Sequence, residues 1–227
     1  MSTNLSENIL TLGDTNLDES YLKIIKDQYV PTDNCKAGDT VILDGIECLC
    51  VATGVTIQGS NLTRIAVDKN HDLGYYQKYV GIPQNGVVIN QIKDWRWGGY
   101  GTSIGTSLEV GYGLQNTIKC LANTVNYTNG SSSNNRNYPL MWQGVSDFRS
   151  SHSDKWFVPS LNELLNYVYP YKSSLTFDTT TGGSSTSIFW SSSEYDHNQS
   201  YFVTLGNNSS AYTNKYYPRY IRLCRAF

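Results

Sequence analysis

No apolar run in this chain is long enough to cross a bilayer, which excludes helical membrane insertion. No lysine or arginine cluster occurs either, and the net charge is only -2. Nucleic acid is thereby excluded as the main partner, because phosphate binding needs a basic stripe. Cysteine is sparse and odd in number: Cys35, Cys48, Cys50, Cys120 and Cys224 show no framework spacing and read as reduced thiols. Cys48 and Cys50 would face one side of a core strand; with no second such pair they make a poor zinc site. Residues 1–8 lack a basic n-region and an apolar h-region, which predicts no secretory signal.

Catalytic constellations are missing too. His71, His152 and His197 are the only histidines. His152 and Asp154 fall in a polar turn without a third ligand, so surface histidines are the expectation. Serines abound, yet there is no Gly-x-Ser-x-Gly elbow. A pocket enzyme lined by Trp95 and Trp97 is the weakest reading. Asn-x-Ser/Thr triplets such as Asn61-Leu62-Thr63 arise by chance in so Asn-, Ser- and Thr-rich a chain, and glycosylation is not expected. The expectation is a protein that is not an enzyme, with no cofactor and no metal.

What is present is tyrosine, 18 of 227 residues, a side chain with an apolar body and a polar tip suited to contact surfaces. The length fits one domain plus a short extension. Residues 1–34 read as that extension, with Leu22, Ile25 and Tyr29 at helical spacing before Pro31. Two roles remain open for it: an oligomerisation or attachment element, or a helix folded back on its own domain. The domain proper spans 38–227. Asp44-Gly45 between two apolar runs, 40–43 and 46–51, predicts a two-residue hairpin. Residues 64–67 are a further strand candidate. The Trp- and Gly-rich stretch 94–113 predicts irregular chain packed through its rings. Leu114, Ile118 and Leu121 mark one helix. Ser160 and Glu163 form a capping box for a second, with Leu161, Leu164, Leu165 and Val168 on its buried face and Pro170 as its stop. Residues 129–135 and 179–187 read as polar loops. Strands near 188–193, 201–205 and 219–225 complete an α+β order.

The C-terminal stretch is the most unusual. Framework residues Phe189-Trp190-Ser191-Ser192-Ser193-Glu194 and Ile221-Arg222-Leu223-Cys224-Arg225 enclose a filler, 195–217, made mostly of Asn, Tyr, Ser, Thr, Asp and His. Tyr, Asp, His, Ser and Thr each lie one base away from the asparagine codons AAC and AAT. Such a composition is what adenine-directed diversification would leave. Tyr195, Asp196, His197, Asn198, Ser200, Tyr201, Asn207, Asn208, Ser209, Tyr212, Asn214, Tyr216 and Tyr217 are the candidate ligand-binding residues. Tyrosine offers rigid contact area, and serine and asparagine offer adaptable hydrogen bonds, as in antibody paratopes. The competing reading is a flexible polar tail, which the aromatic density argues against. Alternation predicts that about half of 201–205 points inward. Trp190, Ile221 and Leu223 are expected to be framework, with Glu194 and Arg222 as paired supports.

These residues carry a family resemblance. Lys155-Trp156-Phe157-Val158-Pro159-Ser160-Leu161-Asn162-Glu163-Leu164 resembles the Trp-x-Leu-Pro-Ser-x-x-Glu-Leu signature of a bacterial and phage branch of the C-type lectin fold, the formylglycine-generating-enzyme-like branch. Phe157 stands where that branch often has Arg. Gly113-Leu114-Gln115-Asn116-Thr117 is similar to its helix-opening Gly-x-x-Asn-Thr, and 189–195 and 221–225 resemble its last strands. With its Asn/Tyr/Ser-rich C-terminus, the chain resembles the variable proteins of diversity-generating retroelements. The resemblance implies a C-type lectin fold of two helices packed on antiparallel strands. It also implies a variable region at about 189–227, displayed on one exposed face of the last strands. The calcium triplets of sugar-binding lectins are absent, as is the C-terminal cysteine pair of the formylglycine-generating enzymes. The implied function is receptor binding to a cell-surface protein or glycan, as in phage tail receptor-binding proteins, located on a virion or cell surface and otherwise cytoplasmic. The alternative is a structural or surface-anchored bacterial protein of the same fold without a diversified site. Homo-oligomerisation is motivated by the N-terminal segment alone.

Overall fold

The computed structural model describes residues 32–76, 83–84, 87–88, 95–123, 140–177 and 188–227. The expected N-terminal helix and the expected loops at 129–135 and 179–187 lie outside the described residues.

The first hairpin forms as its turn chemistry dictates. Strands β1 (Thr40–Leu43) and β2 (Ile46–Thr53) are joined by Asp44 and Gly45, with φ of 52° and 79°. Both angles are positive, as a type I′ turn requires, and Asp and Gly tolerate them best. β3 (Arg64–Asp68) pairs with β2, and a single helical turn α1 (Leu73–Tyr76) follows. A small ribbon joins β4 (Pro83–Gln84) to β5 (Val87–Val88), and β6 (Trp95–Arg96) comes next. Helix α2 (Gly113–Ala122) precedes helix α3 (Met141–Ser151) and the short β7 (Trp156–Phe157). Helix α4 (Leu161–Glu163) runs on through a π turn (Leu164–Val168) into a 3-10 turn (Tyr169–Ser174). The C-terminal part supplies β8 (Ile188–Glu194), β9 (Gln199–Thr204), β10 (Ser209–Asn214), β11 (Pro218–Arg219) and β12 (Cys224–Ala226).

The architecture is α+β with antiparallel sheets. One sheet has the order β1-β2-β3-β12-β7, so the last strand of the chain lies between β3 and β7. A second sheet has the order β10-β9-β8, and β11 pairs with β6. β2 is buried on both faces, and its residues alternate between two apolar clusters. Cys48 and Cys50 join Trp95, Trp97, Trp142, Trp156 and Trp190 on one side. Leu49 and Val51 join Phe157, Leu164, Phe189 and Val203 on the other. Trp95 and Trp97 are thus fully buried interior residues.

Three expectations need correction. α3 was not anticipated; its buried Met141, Trp142, Val145 and Phe148 do fall at helical spacing, but Gly144 and several serines weaken its propensity. Pro170 does not stop the helix that opens at Ser160. It sits in the first turn of the 3-10 segment, directly after the π turn, where the hydrogen-bonding pattern has already departed from that of an α-helix. The strand expected over 219–225 is two strands, with the buried Ile221, Arg222 and Leu223 between them.

Candidate binding face

The base of the C-terminal hairpin is a buried polar framework. The β8–β9 register shifts between Trp190 and Glu194, and the serines between them turn their groups to neighbouring elements. Ser191 Oγ donates to Tyr201 O at 2.9 Å, and Ser191 O accepts from Trp97 Nε1 at 2.8 Å. Ser192 Oγ accepts from Asn116 Nδ2 on α2 at 3.3 Å. Ser193 Oγ accepts from Leu161 N of α4 and donates to Ser107 O. The Gly113 motif has the same purpose: Thr117 Oγ1 accepts from Val158 N, and Asn116 bonds both ways with Ser107. Every one of these hydroxyls and amides is partnered, so the framework carries little desolvation penalty and has one arrangement.

Glu194 ends β8 and joins the loop before α2 to the chain after β10. Its Oε2 accepts from Ile104 N and Gly105 N at 2.8 and 3.0 Å. Its Oε1 pairs with Lys215 Nζ at 2.5 Å. Lys215 Nζ also donates to Thr102 O and His197 O and lies over the Trp97 ring. Burial pushes the Lys215 pKa down, and the Glu194 carboxylate opposes that shift. The expected Glu194–Arg222 pair is not formed. Arg222 pairs instead with Asp72 at 3.0 Å and donates to Asp68 O and Thr176 O, while Glu194 is held by Lys215 and the loop amides.

On this base stands an exposed aromatic group. Tyr212 of β10 lies opposite Tyr201 of β9, which places both on one face. Tyr195, just beyond β8, stacks on Tyr212 with centroids 3.7 Å apart and rings parallel within 1°. Tyr201 meets both rings edge-on, at 5.5 and 6.0 Å. Hydrogen bonding with the Tyr212 phenol raises the Tyr195 pKa. Asp196 closes the β8–β9 turn by accepting from Asn198 N and Gln199 N, each at 2.7 Å. Asn214, two residues from Tyr212 on β10, donates to Tyr216 Oη at 2.7 Å, and Tyr216 packs against Tyr217. At the far turn Asn208 has φ 55°, a conformation asparagine tolerates. Asn207 Oδ1 accepts from Ser209 N and Oγ there.

Of the predicted residues, Tyr195, His197, Asn207, Asn208, Ser209, Tyr212 and Tyr217 are exposed. Asp196, Asn198, Tyr201, Asn214 and Tyr216 are half-buried. Ser200 is the correction: it is fully enclosed, since alternation along β9 turns it to the opposite face from Tyr201. Lys215, absent from the predicted set, is an interior strut within the filler. Its signal was present, because it is the one lysine or arginine between 195 and 217. Ser210 and Ala211 also lie exposed on β10 and were not anticipated. Apart from His197, the exposed predicted residues carry no basic side chain.

Among the described residues no group of three or more His, Cys, Asp or Glu is placed to hold a metal ion, and no helix is long and apolar enough to cross a membrane. No protein-family model matches the chain, and no curated protein matches it.

Proposed function

We propose that this protein recognises a cell-surface macromolecule through the face built on β9 and β10, as a variable protein of the diversity-generating retroelement type with a C-type lectin fold. The observation that carries the reading is the division of labour in the C-terminal stretch. Trp190, the serines 191–193, Glu194, Lys215 and Ile221 are buried, while Tyr195, Tyr212 and Tyr217 stand out into solvent. Substitutions at exposed positions shift stability by only ~0.5 kcal/mol, so such a face tolerates change while its base does not. The Tyr, Asn and Ser mixture suits recognition of varied surfaces. No chemistry is required of it, and binding alone is the activity, as in a phage tail receptor-binding protein. Display in several copies would raise a modest affinity ~10²–10⁴-fold through avidity.

The coding DNA tests the reading against a structural protein of the same fold. Diversification predicts AAC-derived codons at the exposed positions and a nearby template repeat with adenines at the matching places. An ordinary codon mixture with no repeat would favour the structural alternative.

A further inference from the structure

We infer that loop 98–106 forms a second wall of the binding face and that Tyr100 contacts the ligand there, although it lies far outside the C-terminal stretch. The inference rests on the recognition reading above and extends its site. Tyr100 is half-exposed, and its ring lies 5.2 Å from that of Tyr216. Tyr216 in turn accepts the Asn214 amide, and Asn214 shares a face of β10 with Tyr212. Phenol and amide groups therefore continue from Tyr195 and Tyr212 through Asn214 and Tyr216 to Tyr100.

The loop is held in place by the residues that hold the C-terminal stretch. Gly98 N donates to Lys215 O, and Gly101 N donates to His197 O. Lys215 Nζ reaches Thr102 O, and Glu194 takes the amides of Ile104 and Gly105. Gly98, Gly99, Gly101 and Gly105 all have positive φ, so the loop's path is set by its glycines. One ion pair thus fixes both walls.

The partner is a protein epitope. A stable protein interface takes roughly 20–30 residues a side. The thirteen predicted positions less the buried Ser200 leave twelve, so the contact must extend beyond them. The loop is the adjoining exposed segment, and it adds a tyrosine of the same character. Among the described residues, neither the predicted positions nor loop 98–106 itself carries an exposed lysine or arginine to meet phosphate, sulfate or carboxylate groups, and Lys119 Nζ is engaged with Gly105 O at the loop's end.

The test uses the full chain displayed as a library randomised at Tyr195, Tyr201, Tyr212 and Tyr217, with selection on immobilised lysozyme and, separately, on neutral mannan. In lysozyme complexes Tyr100 is expected to lose hydroxyl-radical labelling, with Tyr112 as the unaffected control. Tyr100→Ala is expected to weaken those complexes about tenfold without moving the thermal midpoint, and Tyr100→Phe to retain most of the affinity. Equal labelling of Tyr100 in free and bound protein, with Tyr100→Ala within about twofold of the parent clones, would overturn the inference. Binders to mannan alone would overturn the assignment of a protein partner. Recovery of no binders from either arm would overturn the recognition reading itself, and this inference with it.

Discussion

Lys215 Nζ lies 2.5 Å from Glu194 Oε1, and both side chains are sealed from solvent. The pair spans the gap between the end of β8 and the chain beyond β10, so it sets the spacing of the whole candidate face. Removing one partner leaves an uncompensated charge in the interior. Lys215→Met should destabilise the domain by about 3–5 kcal/mol. Glu194→Ala should cost at least as much, since it also strands the Ile104 and Gly105 amides. Urea unfolding of both variants measures the effect; a change below about 1 kcal/mol in either would show that the pair is not the strut described here.

Glu163 makes stability depend on pH. Burial is the main cause that pushes its carboxyl from 4.5 up to about 7, against amide donors from Ser160, Gly111 and Gly113. The folded state then holds a proton that the unfolded chain has released between pH 4.5 and 7. Its contribution is full below the unfolded pKa and is lost as pH rises through the folded value, about 3 kcal/mol in all. Asp44 and Glu47 have lowered pKa values and act in the opposite sense, their contribution being lost as pH falls below the ordinary values of 3.8 and 4.5. Denaturant midpoints measured from pH 4.5 to 8 should fall and then level near neutrality, and Glu163→Gln should flatten that slope. An unchanged slope in Glu163→Gln would assign it to other groups.

Gly113 opens α2, where alanine would ordinarily help a helix. A Cβ there would lie 2.2 Å from Glu163 Oε2 and 2.7 Å from the Phe157 ring. The clash outweighs the ~1 kcal/mol gain in helix propensity. Gly113→Ala should therefore destabilise the protein, by about 1–3 kcal/mol. Thermal unfolding reads the sign directly, and a raised midpoint would contradict the packing described.

All five cysteines are free and buried. Burial raises the Cys50 thiol to about 12 and holds Cys48 and Cys224 well above the ordinary value. The native protein should react with a thiol reagent only as fast as it unfolds, and all five thiols should react promptly in denaturant. A fast-reacting native thiol would refute the assignment.

What was legible in the sequence was local. Asp44-Gly45 specified a hairpin by backbone angle, and Ser160 with Glu163 specified a helix start by reciprocal bonds three residues apart. Trp190, Ile221 and Leu223 were readable as framework because each is apolar within a polar stretch. β10 was not readable as a strand: Ser209-Ser210-Ala211-Tyr212-Thr213-Asn214 lies at a sheet edge, mostly exposed, and carries no apolar alternation. Partners distant in sequence were equally hidden. Arg222 finds Asp72, and Glu194 finds Lys215, through the meeting of strands whose order no local pattern encodes. Ser200 needed the strand's phase, which the shifted β8–β9 register determines.

The most direct test of the account is binding of the intact chain to arrays of cell-surface proteins and glycans, beside a variant with Tyr201, Tyr212, Tyr216 and Tyr217 replaced by alanine. The account predicts a specific signal for the parent chain that disappears in the variant, while the variant's circular dichroism spectrum stays that of the folded domain. A folded variant that keeps the signal would contradict it.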